Sequence, residues 1–268
     1  MDVRLPQGPS TVIDLSVLVA PDLPASWPGH MQFTHKNWNW YAEVDNPVEP
    51  VRSAGPYSTN FFVMDEHCGT HMDGPTHFIP PPNSGLDHAG ELGAVTGDRV
   101  ELSQLWGPAV VIDVSSLSGS GGPGVSPYIE TSNILEWEAE HGDLAEGEVV
   151  LWRTSWDRFY TEGEEGSHFV RDPLVTKTGP GWPAPSVEAM LHLHERGVRV
   201  AGTDAPSMGS AHDGAPVHQY ALSRGMIFVE MLTNLAALPA RGAYFVFLPI
   251  KLRGSTGGPG RAVALLPQ

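Results

Sequence analysis

The sequence predicts a mixed α/β domain in which strands outnumber helices. Three observations carry that expectation. Short runs rich in Val, Ile, Leu and aromatic residues recur along the chain, bounded by Gly, Pro or Asn. Two stretches of about ten residues show a helical start and a glycine stop. The 30 glycines and 25 prolines supply many ordered turns.

Residues 11–20 alternate and are rich in Val, Ile and Leu, which predicts a strand; the proline-rich stretch 21–28 is a loop. Phe33, Trp38, Trp40 and Tyr41 then form an aromatic cluster with no clear period. Such a cluster serves either as a hydrophobic satellite or subunit interface, or as a wall for a flat aromatic or bicyclic substrate. Phe33, Trp38 and Trp40 are therefore candidate substrate-binding residues.

A strand over 60–64 leads into a segment dense in ligand-type side chains, and 108–114 reads as a buried strand. The loop 116–127 carries Gly-Ser-Gly-Gly-Pro-Gly but is too short for a flexible linker, so residues 1–268 read as one domain. It has no lysine, which excludes a phosphate-binding loop. A helix is expected over 131–141, capped by Thr131 or Ser132 and stopped by Gly142. After a strand over 148–153, a second helix over 186–196 starts at Ser186 and ends at Gly197, with Val187, Met190, Leu191 and His194 on one face. A strand over 198–202 places Asp204 at its carboxyl end. A short helix over 216–224, strands over 226–232 and 243–250, a Gly-rich loop over 253–261 and a last strand over 262–266 complete the chain.

Apolar residues at 41% and charged residues at 17% fit a folded, soluble protein. A formal charge of −16 argues against nucleic acid or an anionic membrane as partner, since both require basic surface. It leaves an anionic small molecule open, because that responds to the local field. The single cysteine rules out an internal disulfide framework and fits a reducing cytoplasm. The first ten residues contain no apolar signal core, and no run of about 18 apolar residues is present to span a membrane.

The most informative segment reads Asp-Glu-His-Cys-Gly-Thr-His-Met-Asp-Gly-Pro-Thr-His-Phe, from Asp65 to Phe78. His67, His71 and Asp73 offer two imidazole nitrogens and one carboxylate, a set suited to a catalytic divalent metal with open positions. On a straight strand His67 and His71 would lie ~13 Å apart, too far to share an ion. The chain must turn between them, and Gly69 permits the turn. Gly74 and Pro75 stop any long helix, so the motif belongs on a loop or single turn after the 60–64 strand. Cys68 reads as a small buried residue. Glu230 sits inside the apolar strand Met226–Leu232, where a carboxylate is costly unless paired or metal-bound. His218 falls in the first turn of its helix, whose positive end disfavours an imidazolium. His212, just before that helix, is placed to reach the pocket.

The stretch His67-Cys-Gly-Thr-His71-Met-Asp73-Gly-Pro-Thr-His77-Phe78 resembles the core motif of the cyclase-like metal hydrolases. That family includes bacterial kynurenine formamidases, isatin hydrolases and some lactamases. Ile13-Asp14-Leu15-Ser16, Val149 to Thr154, Gly202 to Ser207, and Val217-His218 through Glu230, Asn234 and Leu235 agree in order. The resemblance implies a swivelling β/β/α fold. It implies metal binding by His67, His71 and Asp73, proton transfer by His77, and a second metal held by His218 and Glu230, which stand twelve residues apart.

The expectation is thus a metal-dependent amidohydrolase that opens a small cyclic amide, isatin-like or a bicyclic γ-lactam, by attack of a metal-bound hydroxide. One or two divalent ions are expected per chain, zinc first and manganese as the alternative. His77, and His218 if only one ion binds, are the candidate proton-transfer residues. The aromatic cluster suggests a homodimer or higher oligomer. Alternatives are a formamidase acting on N-formyl aryl amines, a non-catalytic metal-binding module, and an oxygen-activating iron enzyme built on the same two His and one Asp.

Overall fold

The structure, a computed structural model, describes residues 6, 8–45, 48 and 51–268; most of the amino-terminal segment read above as lacking a signal core, residues 1–5 and 7, lies outside them. In chain order the strands and α-helices are β1 (Ser10–Asp14), β2 (Thr34–Asn39), β3 (Thr59–Val63), β4 (His71–Asp73), β5 (Trp106–Asp113), β6 (Tyr128–Ile129), α1 (Thr131–His141), β7 (Val149–Arg153), β8 (Ala184–Pro185), α2 (Val187–Glu195), β9 (Val200–Thr203), α3 (Ala215–Leu222), β10 (Ile227–Glu230), β11 (Arg241–Pro249) and β12 (Gly257–Pro267). Strands outnumber helices, as the sequence predicts.

Eight strands form one mixed sheet in the order β1-β12-β11-β5-β7-β9-β10-β4. Strand β4 also pairs with the start of β12, Gly257 opposite Asp73, so the sheet closes on itself like a barrel. The central pairs β5–β7, β7–β9 and β9–β10 are parallel, and the rest are antiparallel. Parallel strands need both faces covered, which is why β7, Val-Val-Leu-Trp-Arg, is apolar at successive positions.

Alternation sorts these residues into two cores. Met72, Val149, Leu151, Ile227, Val229, Phe245 and Phe247 point into the barrel. Val150, Trp152, Ala201 and Phe228 point outward, under Ile134 and Trp137 of α1, Met190 and Leu193 of α2, and Val217 and Ala221 of α3. Each large apolar side chain so buried contributes about 1.5–3 kcal/mol before entropy is counted.

Three local expectations are corrected. The first strand ends at Asp14 rather than near residue 20, because the Asp14 carboxylate accepts the Ser16 N–H at 3.1 Å and turns the chain. Helix α1 is capped by Glu130, whose side chain and that of Asn133 satisfy each other's backbone N–H groups, so neither Thr131 nor Ser132 is needed as cap. Helix α2 is capped by the Ser186 hydroxyl, but it buries Ala189, Met190 and Leu193, not the face of Val187, Leu191 and His194.

Strands β2 and β3 pair only with each other, as a ribbon apart from the barrel. Among the described residues no helix is long and apolar enough to cross a membrane.

Candidate metal centre

The chain turns through residues 66–70, with Gly69 at φ +63°, and then enters β4. A Cβ at Gly69 would lie 2.5 Å from the Val19 Cγ2, so both backbone and space demand glycine there. The turn that the spacing required is present, but the loop or single turn expected for the whole motif is not, because His71–Asp73 pairs with β10 and β12 as a strand. The turn frees His67 from the strand, while His71 and Asp73 remain on β4.

Met72 faces the barrel interior, so His71 and Asp73 face outward. On β10, Val229 faces inward and Glu230 outward, and Glu230 is in register opposite His71. Helix α3 crosses this outer face and delivers His218. His77 follows on the short 3-10 turn Pro75–His77.

These side chains converge. His67 Nδ1 lies 2.7 Å and His71 Nε2 3.3 Å from Asp73 Oδ1. His71 Nε2 is 3.5 Å from Glu230 Oε2. His218 Nε2 is 3.4 Å from both Asp73 Oδ2 and Glu230 Oε1. Two sets with metal-ligand geometry share Asp73: His67, His71, Asp73 and Asp73, His218, Glu230. All five residues are buried.

The donor orientation fits a divalent cation. His71 Nδ1 donates to the Gly69 carbonyl at 2.8 Å, and His218 Nδ1 donates to the Gly214 carbonyl at 2.7 Å. Both rings therefore turn Nε2 toward the carboxylates, the arrangement in which a backbone carbonyl orients a metal-binding imidazole. Glu230 Oε1 accepts the Met208 N–H at 2.6 Å, which holds the carboxylate in place.

The charges interlock. Burial opposes the Asp73 anion, yet the surrounding imidazoles, His77 and His67 first, hold its carboxyl well below the usual range. Burial likewise opposes a charged His218, but Asp73 and Glu230 outweigh it and push its pKa up to about 10. His71 is raised against its burial by the same two carboxylates. The helix end expected to disfavour a protonated His218 is thus overruled by two carboxylates at 3.4 Å. A cation bound here takes the place of those protons.

His77 behaves in the opposite way. Burial, opposed by Asp73 but joined by the neighbouring imidazoles, pushes its pKa down to about 3. Its ring stacks on His67 with centroids 3.9 Å apart, and Nε2 stands 3.8 Å from Asp73 Oδ2. It borders the donor cluster without belonging to either donor set. Cys68 is fully buried, 3.7 Å from the Ser26 hydroxyl, and burial raises its thiol pKa, which fits a packing residue.

A cavity of about 360 Å³ opens over the cluster, lined by His67, His71, His77, His218 and Glu230. Its aromatic and apolar walls come from Trp27, Phe78, Leu174 and Met231. Phe33, Trp38 and Trp40 do not line it. Phe33 precedes β2, Trp38 lies on that ribbon and Trp40 just beyond it, and the two tryptophans are 73% and 45% exposed. The aromatic wall of the cavity comes within this chain from Trp27 and Phe78 instead. Trp27 packs edge-on against Trp182, whose indole N–H donates to the Gly209 carbonyl at 2.8 Å. His212 lines the cavity as anticipated, and so does His30, which lies in no sequence motif. Phe78 closes the motif itself, a signal that was present; Trp27 and the Met208 amide carry none, because only the folded loops bring them in.

Residues 13–210 match the model of the cyclase family, described as putative cyclase. An isatin hydrolase of Roseibium aggregatum is 30% identical over 277 aligned residues, spanning 100% of this chain and 96% of the relative. A kynurenine formamidase of Erythrobacter litoralis is 25% identical, spanning 93% of this chain and 91% of that one. A solved isatin hydrolase, bound to the product analogue thioisatinate, superposes with a TM-score of 0.78 at 26% identity over 97% of this chain and 93% of that one. Isatin hydrolase A from Ralstonia solanacearum superposes with a TM-score of 0.75 at 26% identity, over 96% and 92% of the two chains. From its sequence motif, its barrel and these full-length likenesses, the chain belongs to the cyclase family of metal-dependent hydrolases.

Proposed function

We propose that this chain, acting as one domain, is an amidohydrolase that opens a small cyclic amide, with isatin-like and bicyclic γ-lactam rings as the substrate class. The observation that carries the reading is the His77 ring, stacked on His67 at the wall of an apolar cavity over buried His, Asp and Glu donors. The full-length likeness to an isatin hydrolase supports the choice of a cyclic amide.

His67, His71 and Asp73 would hold one divalent ion, and Asp73, His218 and Glu230 a second. Imidazole and carboxylate donors accommodate zinc and manganese alike. Such an ion supplies Lewis-acid polarisation of the amide carbonyl and acidifies water toward a pKa of about 7.

The protein's own residues do the rest. Trp27 and Phe78 hold a flat ring by apolar contact. His77 Nε2 accepts the proton of the attacking water and returns it to the departing nitrogen. That second transfer matters for a ring, since the released amine stays tethered and recloses unless protonated. With a single ion bound, His218 serves as the proton shuttle and Glu230 fixes His218 and His71.

A cytoplasmic homodimer fits the same reading. The ribbon β2–β3 exposes Trp38 and Phe61, packed edge to face at 73% and 40%, on one side and Phe62, at 57%, on the other, aromatic surface suited to burial against a second copy.

The deciding measurement compares kcat/KM on isatin, a bicyclic γ-lactam and an N-formyl aryl amine with zinc- or manganese-loaded protein. Preference for the rings supports the proposal. Preference for the formamide moves the chain to the formamidase type, a reading favoured by the formamidase relative. No hydrolysis of any of them by metal-loaded protein overturns the proposal.

A further inference from the structure

We propose that Glu66 and Thr256 form a positioning pair that dictates which nitrogen of His67 faces the metal. The inference rests on the reading of His67 as a metal ligand and extends it to two residues outside the donor set.

His67 presents its ring differently from His71 and His218. Those two rings donate Nδ1–H to backbone carbonyls and turn Nε2 inward. His67 turns Nδ1 inward, 2.7 Å from Asp73 Oδ1. For Nδ1 to offer a lone pair, the proton must sit on Nε2 and find an acceptor there. That acceptor is the hydroxyl of Thr256, 2.9 Å away and 189 residues later in the chain.

A hydroxyl is a poor director by itself, because it rotates and can donate or accept. Glu66 removes the choice. Its Oε2 accepts both the Thr256 N–H at 2.7 Å and the Thr256 hydroxyl at 2.9 Å. With its only proton committed to Glu66, Thr256 Oγ1 can only accept from His67. The order of donation runs His67 Nε2–H to Thr256 Oγ1, then Thr256 O–H to the Glu66 carboxylate.

The backbone locks the pair onto the motif. The Thr256 carbonyl accepts the Gly74 N–H at 2.9 Å. The next residue, Gly257, pairs with Asp73 between β12 and β4. A Cβ at Gly257 would stand 2.5 Å from His67 Cε1 and 3.0 Å from His67 Nδ1, so only glycine leaves space for the ring. The glycine-rich stretch 253–261, read from sequence as a loop, instead enters β12 at Gly257 and stands against His67 as the far wall of the metal centre.

The experiment reads the coordinating nitrogen directly. Zinc-loaded wild type, Thr256→Val, Thr256→Ser, Glu66→Ala and Glu66→Gln are compared by long-range ¹H–¹⁵N spectra of the imidazoles and by Mn²⁺ titration. In wild type, Thr256→Ser and Glu66→Gln, which keep an accepting hydroxyl and its partner, His67 should show a zinc-bound Nδ1 and a protonated Nε2. Thr256→Val and Glu66→Ala should lose that uniform pattern and bind Mn²⁺ roughly 10- to 100-fold more weakly, the scale on which outer partners of metal ligands act. Should Thr256→Val not fold, Glu66→Ala carries the test. Variants with the wild-type ¹⁵N pattern and affinity would overturn the pairing while leaving the amidohydrolase reading intact. Equal losses in Thr256→Ser and Thr256→Val would reduce Thr256 to a packing role and also overturn it. A wild type that binds neither zinc nor Mn²⁺ would instead strike down the metal reading, and this proposal with it.

Discussion

Glu230 and His71 stand directly opposite each other on β10 and β4, and their Oε2 and Nε2 atoms meet 3.5 Å apart on the outer face of the barrel. Register makes this contact. A slip of one residue in β4 would turn His71 into the apolar interior and Met72 out of it, breaking the contact with Glu230. The sheet thus aligns two donor side chains that the sequence separates widely, and α3 adds His218 from above.

Removal of divalent metal by a strong chelator should abolish hydrolysis, and added zinc or manganese should restore it. Activity is followed together with metal content by elemental analysis. Full turnover in protein stripped of metal contradicts the assignment of His67, His71 and Asp73.

His77→Ala should retain metal yet lose roughly 10²-fold or more in kcat, the scale of a general acid–base. His77 lies 3.8 Å from the carboxylate shared by the two donor sets and is held neutral by burial. Stoichiometric loss of metal in this variant would make His77 a ligand instead.

Glu230→Gln separates one ion from two. If Asp73, His218 and Glu230 hold a second cation, metal content should fall from about two to about one per chain, because a neutral amide is a poorer ligand than a carboxylate. One ion in both proteins would assign Glu230 to orienting His71 and His218.

Asp204 should give the fold a pH dependence of its own. Its carboxylate accepts the Thr154 N–H and the Ser155 N–H, each at 2.9 Å, together with the Thr154 hydroxyl. Burial nevertheless pushes its pKa up to about 7 from the ordinary 3.8. Between those two values the folded state holds a proton that the unfolded chain has released. The stability from this group is therefore complete below the unfolded value and declines as pH rises through the folded one. Thermal unfolding followed from about pH 5 to about pH 8 should show this decline in wild type, and Asp204→Asn should flatten it. An unchanged slope in the variant would assign the dependence to other groups.

Trp27→Ala should lower kcat/KM for bicyclic amides about tenfold, the scale of a lost aromatic contact in a pocket, with metal content unchanged. Trp38→Ser should leave the cavity wall intact and weaken self-association, read by sedimentation. An effect of Trp27→Ala confined to thermal stability would remove Trp27 from the substrate wall.

The sequence by itself determined the donor types, the need for a turn at Gly69 and the placement of most strands and helices. These follow from local rules: side-chain chemistry, two-residue and 3.6-residue periods, and caps that act within a turn. Glu230 was legible because a carboxylate in the run Met-Ile-Phe-Val-Glu-Met-Leu breaks an apolar pattern. The tertiary structure alone decided the rest. It placed Trp27 in the cavity wall and Trp38 on an exposed ribbon, though the sequence singled out Trp38 and passed over the proline-rich loop 21–28 that carries Trp27. It set the inward nitrogen of each histidine, through the Gly69 and Gly214 carbonyls for two and Thr256 for the third. The physical reason is range. A period or a cap is written within a few neighbouring residues, whereas the hydrogen bond from His67 to Thr256 spans 189 residues and exists only because β12 closes the barrel against β4.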